Sequence, residues 1–178
     1  MRWRTIGIAL LAYVIAGCGS GAQQGATELD AGQNGQGASE ASLSGDVPNP
    51  CSLLTPSDVE QTLGMPVEEV DGPKPPDSDP NGLLCHWSGE YGSGDYVTLA
   101  VYSRADHCEL VEQGHSQMGK RGTPVEGLGD KATWYDLGTN VNICMNNHGQ
   151  PMSLFSFIEP PVSQADLAAL AKIAVSRT

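Results

Sequence analysis

The sequence predicts an α+β fold: an antiparallel sheet with about three helices packed on it and two disulfides stapling the parts together. Three observations carry this expectation. Short runs in the second half alternate apolar and polar residues; over residues 96–102, Val97, Leu99 and Val101 fall on one side, the side expected to face the core. Helix-start signals at Thr55, Asp106 and Ser163 each precede a segment with helical spacing of apolar residues. Four cysteines, Cys51, Cys85, Cys108 and Cys144, are distributed through the same region.

The elements follow in order. Thr55 is placed to cap the first helix, with Pro56 at its first position, Asp58 in its first turn, and Gly64 then Pro66 at its end. Leu54, Val59 and Leu63 share its inner side. A loop rich in Pro, Asp and Gly is expected over residues 65–82. Leu83–Ser88 and residues 96–102 read as a strand pair joined by the turn around Gly92 and Gly94. Asp106 and Glu109 have the spacing of a capping box and open a second helix reaching about Met118. Cys108, Val111, His115 and Met118 form the face of it expected to be buried. Residues 132–136, 141–146 and 152–158 read as strands, the last two joined by the turn Asn147-His148-Gly149. Ser163 caps the closing helix, with Asp166 at its third position and Leu167, Leu170, Ala171 and Ala174 as its apolar stripe.

The N-terminus has a different character. Arg2 and Arg4 precede a short apolar run, Ile6 to Ala16, which is too short for a permanent membrane span and reads as a secretory signal over residues 1–17. It ends in Ile15-Ala16-Gly17-Cys18, the form of a bacterial lipobox. Small residues let the chain lie extended in a peptidase cleft, and the Cys18 thiol accepts the lipid. The expected product is a palmitate-bearing, membrane-anchored chain facing away from the cytoplasm. Cleavage would move the formal charge from −12 to −14, because two arginines leave and no acid does. Such a charge disfavours nucleic acid and favours solubility, cations or basic partners. Residues 18–49 comprise the lipidated cysteine and a Gly/Ala/Ser/Gln-rich tether, which cannot bury enough apolar surface to offset its ordering. As a random coil it would span about 30 Å. The folded domain is expected over residues 50–178.

In an exported chain, four further cysteines imply two disulfides rather than a metal site. Three connectivities are open. A near-repeat favours Cys51–Cys85 and Cys108–Cys144, since each pair joins a helix to a strand 34 or 36 residues later. Loops of that length correspond to roughly 3–4 kcal/mol per bridge on a chain-entropy model.

The stretches NPCSLLTPSDVEQTLG (49–64), CHW (85–87) and VEGLGDKATW (125–134), with the closing helix, resemble a family of exported actinobacterial lipoproteins known as a domain of unknown function. The resemblance covers most of the chain from Pro50 onward. It implies a small secreted domain behind a lipobox, with a bridge of the Cys51–Cys85 type, on the outer face of the cytoplasmic membrane. It supplies no activity and no catalytic residues.

Candidate sites are few. Asp77-Ser78-Asp79-Pro80-Asn81-Gly82 matches the opening of a calcium loop, with oxygens from Asp77, Asp79 and Asn81. Its twelfth position is Ser88 rather than Glu, and an ordinary acidic turn explains the same residues. His86, His107, His115 and His148 lack the spacing of a zinc site. Asp106-His107 has the composition of a catalytic dyad, but neighbours in sequence rarely orient one another. Glu68 with Glu69, or Glu109 with Glu112, could be paired carboxylates only if they faced each other across a cleft. Nucleophile motifs and a phosphate loop are missing; Gly127-Leu128-Gly129-Asp130 reads as a tight turn. Trp87, Trp134 and Tyr135 are candidates for a binding surface, with core packing the commoner role of such tryptophans.

The resulting expectation is a non-catalytic binding or interaction module of the cell envelope, with no cofactor. Its partner would be an envelope protein, a cell-wall component or a small ligand. The alternatives are an envelope enzyme and a weakly calcium-binding adhesion or sensor domain. Mass spectrometry of the native protein should find a lipid on Cys18 and no free thiol in the domain; an unmodified Cys18 would remove the anchor.

Overall fold

The structure is a computed structural model, and residues 47–178 of it are described. The signal segment, Cys18 and the tether up to residue 46 lie outside the described residues. Structure begins slightly before Pro50: Val47 packs on the core, and the Asn49 side chain accepts a hydrogen bond from the Cys51 N–H, 2.9 Å.

Two helices come first, α1 (Pro50–Leu53) and α2 (Pro56–Leu63). The strands β1 (Glu69–Lys74), β2 (Leu83–Ser88) and β3 (Tyr96–Val101) follow. Then come α3 (His107–Gln117), β4 (Thr123–Pro124), β5 (Lys131–Asp136), β6 (Val141–Asn147), β7 (Gln150–Phe157) and α4 (Gln164–Val175). The α+β class is therefore as expected. All seven strands join one antiparallel sheet in the order β1-β2-β3-β7-β6-β5-β4. Two meanders, β1 to β3 and β4 to β7, meet along the β3–β7 ladder, where Val97, Leu99 and Val101 face Ser156, Leu154 and Met152.

Alternation divides the sheet's side chains between two faces. Cys85, Trp87, Val97, Leu99, Val101, Ile143, Met145, Met152 and Leu154 point to the first face and are fully buried there. α1 lies against β2 and β3, α4 against β6 and β7, and α2 beside α4. Leu167, Leu170, Ala171 and Ala174 of α4 are all buried, as their spacing requires. Each large apolar side chain so buried contributes roughly 1.5–3 kcal/mol.

The caps hold this helical layer. Thr55 Oγ1 accepts from the Asp58 N–H at 3.2 Å, and Asp58 Oδ2 accepts from the Thr55 N–H at 2.7 Å, closing a capping box. The same carboxylate takes a forked pair of bonds from Arg177, 2.6 and 3.0 Å, while Arg177 also donates to the Leu53 carbonyl at 2.9 Å. The Arg177 guanidinium holds the Asp58 carboxyl far below the usual carboxylate range. The end of the chain is thereby locked onto the start of the domain.

Both disulfides have the expected connectivity, with Cα–Cα distances of 5.2 Å for Cys51–Cys85 and 5.6 Å for Cys108–Cys144. The register shows what the near-repeat conceals. Cys85 aligns with Leu99, Leu154 and Ile143 on the first face, whereas Cys144 follows Ile143 directly and points to the second. One bridge therefore fastens α1 to one side of the sheet, and the other fastens α3 to the opposite side.

Several expectations need correction. The 65–82 loop contains the edge strand β1, and β4 forms the other edge; neither shows an alternating pattern, because every residue in both is exposed. β1 bulges between Asp71 and Lys74. There Gly72 has φ +137°, and a Cβ would lie 2.6 Å from the Leu84 carbonyl oxygen and 3.3 Å from Cys51 Sγ. Only glycine fits where the edge passes the first bridge. An irregular, acidic edge at one side and a two-residue edge at the other discourage pairing with further strands.

α3 is the larger correction. None of its residues is buried, and Met118 beyond its end is 66% exposed. Its apolar residues are too few to make a core-facing stripe. Asp106 does not cap it: the backbone there is not extended, and the carboxylate is taken by Arg104 at 3.1 and 3.2 Å. With little apolar burial, α3 depends on the Cys108–Cys144 bridge for its position. In a variant carrying Cys108→Ala and Cys144→Ala, hydrogen exchange should accelerate across residues 107–117 while β3 and β7 stay protected. Unchanged protection of α3 would show that packing alone suffices.

Candidate binding surface on the open half of the sheet

The second face of the sheet is only partly covered. α3 lies against β6 and β7 near Cys144, and the His115 ring sits 4.4 Å from that of Tyr135. Toward β2 and β3 no helix among the described residues covers the face. Strand register places three cross-strand rows there: Ser88, Tyr96 and Phe157; His86, Thr98, Phe155 and Asn142; and Leu84, Ala100 and Ser153, the last two of which are buried.

Tyr96 is the centre of this surface. Its ring lies 4.8 Å from His86, 5.8 Å from Phe155 and 5.6 Å from Phe157, the last two stacked. All four are half-buried. Polar side chains between them are already paired: His86 Nδ1 with Thr98 Oγ1 at 2.8 Å, and the Ser153 hydroxyl donating to Asn142 Oδ1 at 2.8 Å. Partial burial pushes the His86 imidazole below its ordinary pKa, favouring the neutral ring on this surface.

Two recesses share Tyr96. One, of about 300 Å3, runs along β3 past Thr98, Ala100 and Tyr102, with Asn142, Ser153 and Phe155 opposite. The other, of about 530 Å3, lies at the β2–β3 turn and is bounded by Glu68, Glu69, Glu90, Asp95, His86 and Tyr91. Tyr91 is 99% exposed. A separate cleft of about 270 Å3 beneath α3 is lined by Cys108, Cys144, Glu109, Glu112 and Lys131, with Lys131 and Glu112 ion-paired at 3.2 Å.

The aromatic candidates from the sequence are elsewhere. Trp87 is fully buried among the first-face core, and Trp134, aligned with Ile143, is half-buried on that same side. Tyr135 is 1% exposed, in contact with the His115 ring. None of the three lines the open surface. Tyr96, Phe155 and Phe157 had one available signal, a strand with large apolar residues in both parities: Met152 and Leu154 in one, Phe155 and Phe157 in the other.

The remaining candidates are dispersed. The His107 ring stacks on Tyr102 at 3.3 Å, and its would-be partner Asp106 is committed to Arg104. His148 is in the β6–β7 turn, where its N–H donates to Asp130 at 2.7 Å. Glu68 and Glu69 border the larger recess, while Glu109 and Glu112 border the cleft beneath α3. Among the described residues, no three His, Cys, Asp or Glu side chains converge as a metal-binding group.

Asp79 is the residue of the acidic loop with a defined role. It is 3% exposed and accepts from the Ser103 N–H at 2.8 Å, the Ser103 hydroxyl at 2.9 and 3.0 Å, and the Asn81 N–H at 3.1 Å. Asp77 and Asn81 are exposed. The carboxylate thus ties the loop to the end of β3. The chain matches no family model, and no curated protein or solved structure is similar to it.

Burial works to raise the Asp79 pKa, but the bonds from Ser103, Asn81 and Gly82 outweigh it and hold the carboxyl below the ordinary range. Its stabilisation is therefore complete above the unfolded aspartate value, about 3.9, and is lost as pH falls through the lower folded value. Asp79→Ala should cost about 1–3 kcal/mol in urea unfolding at pH 7. The gap to the unaltered protein should narrow in strongly acidic buffer; a pH-independent gap would mean that packing, not the charge, is what the side chain supplies.

Proposed function

We propose that the chain is a lipoprotein held at the outer face of the cell membrane through Cys18, and that its domain is a non-catalytic binding module. The observation that supports this most is the Tyr96-centred surface. Half-buried aromatic rings on a rigid sheet offer large contact area at small entropic cost, which is the physical character of binding surfaces. The rings are fixed by strand register rather than by loops, so little ordering is required when a partner arrives.

The distribution of titratable groups favours binding over chemistry. The four histidines lie in separate places, and among the described residues none of their imidazole rings forms a hydrogen bond or ion pair with a carboxylate side chain. The tether expected between lipid and domain would let the open face reach partners away from the membrane.

A photo-cross-linking residue in place of Tyr96, introduced in the full lipoprotein on intact cells, should capture one defined partner. The same residue in place of Ser57, an exposed position of α2, should not. Equal and diffuse capture from both positions would count against the open face as the binding surface.

A further inference from the structure

If the domain is a binding module, as proposed, the charge pattern of its open face narrows the class of partner. The larger recess is bounded by Glu68, Glu69, Glu90 and Asp95, with no lysine or arginine among its lining residues. The nearest cation on the adjoining edge, Lys74, is paired with Asp71. Two of the four acids are partly spent: Glu68 accepts from the Tyr91 N–H at 3.3 Å, and Asp95 from the Glu159 N–H at 3.2 Å. Among the described residues, Glu69 and Glu90 have no side-chain hydrogen bond or ion pair.

Beside these carboxylates stand the rings of Tyr91 and Tyr96. Carboxylates with adjacent aromatic faces suit a guanidinium, whose planar fork binds carboxylate oxygens while its face stacks on an aromatic ring. The adjoining recess has no charged lining and continues from Tyr96 along β3 to Tyr102 just past its end. Six strand residues extend about 20 Å, longer than a single cation requires.

We propose that the open sheet face takes a basic polypeptide segment in extended form. Its arginine or lysine side chains would enter the acidic recess at the β2–β3 turn, and its uncharged residues would lie over Tyr96, Thr98 and Phe155. The acids set the sign of the partner and speed the encounter; the aromatic floor holds it.

Fluorescence anisotropy with the full lipoprotein in non-ionic detergent tests this, using labelled hexa-arginine and hexaglutamate as probes. Hexa-arginine should bind at physiological ionic strength, more weakly as salt rises, and hexaglutamate should not. Affinity for hexa-arginine should fall at least tenfold in the double variant Glu69→Gln/Glu90→Gln and in Tyr96→Ala. Tyr96→Phe, which keeps the ring, and Glu126→Gln, at the far side of the sheet, should leave it within twofold. Circular dichroism of each variant separates lost binding from lost fold. Absence of hexa-arginine binding, or binding equally weakened by Glu126→Gln, would overturn the proposal. If photo-cross-linking at Tyr96 still captures a defined partner while hexa-arginine fails to bind, the binding surface stands and the basic partner falls. If neither is seen, both fall.

Discussion

The ladder between β3 and β7 is the constraint on which the rest of the domain depends. It pairs strands far apart in sequence and fuses two meanders into one sheet. A shift of one residue in this ladder would turn Leu99 or Leu154 out of the core and exchange the two faces of half the molecule. Burial of Val97, Leu99, Val101, Met152 and Leu154 beneath the helices fixes the register. The same register lines up Tyr96 with Phe157 and Thr98 with Phe155 on the other side. Core and open aromatic face are two outcomes of a single alignment.

The disulfides divide the labour between those sides. Cys51–Cys85 joins α1 to the well-covered face, where packing and the Asp58–Arg177 pair already hold the helices. Cys108–Cys144 holds a helix that buries no residue of its own. A covalent bond has more to do where apolar contact is sparse, because it limits the separations open to the two elements. The position of α3 in turn decides how much of the second face stays open.

Electrostatics is distributed unevenly over the domain. Asp58 and Asp79 serve structure, each satisfied by several donors. The acids around the β2–β3 turn are little used by the fold, and they border the aromatic surface. This contrast distinguishes carboxylates that stabilise the domain from those available to a partner. Net charge alone, which describes solubility equally well, cannot make that distinction.

Much of the secondary structure could be read from the chain because the signals are local. Thr55 and Ser163 announce their helices through bonds made within three residues, and the buried strands show their alternation wherever one face is apolar. β1, β4 and the exposure of α3 could not be read: residues exposed on every side leave no periodicity, and Asp106 found a partner in Arg104 instead of the helix N-terminus. The sequence by itself determined the fold class and the caps at Thr55 and Ser163, and it favoured, among three connectivities, the pairing of the four cysteines that is observed. Tertiary structure alone decided that the two bridges lie on opposite faces, that Trp87 and Tyr135 are buried, and that Tyr96 with its neighbouring rings is left open. The reason is physical: a side chain's parity along a strand is local, but which parity is covered depends on where distant helices come to rest.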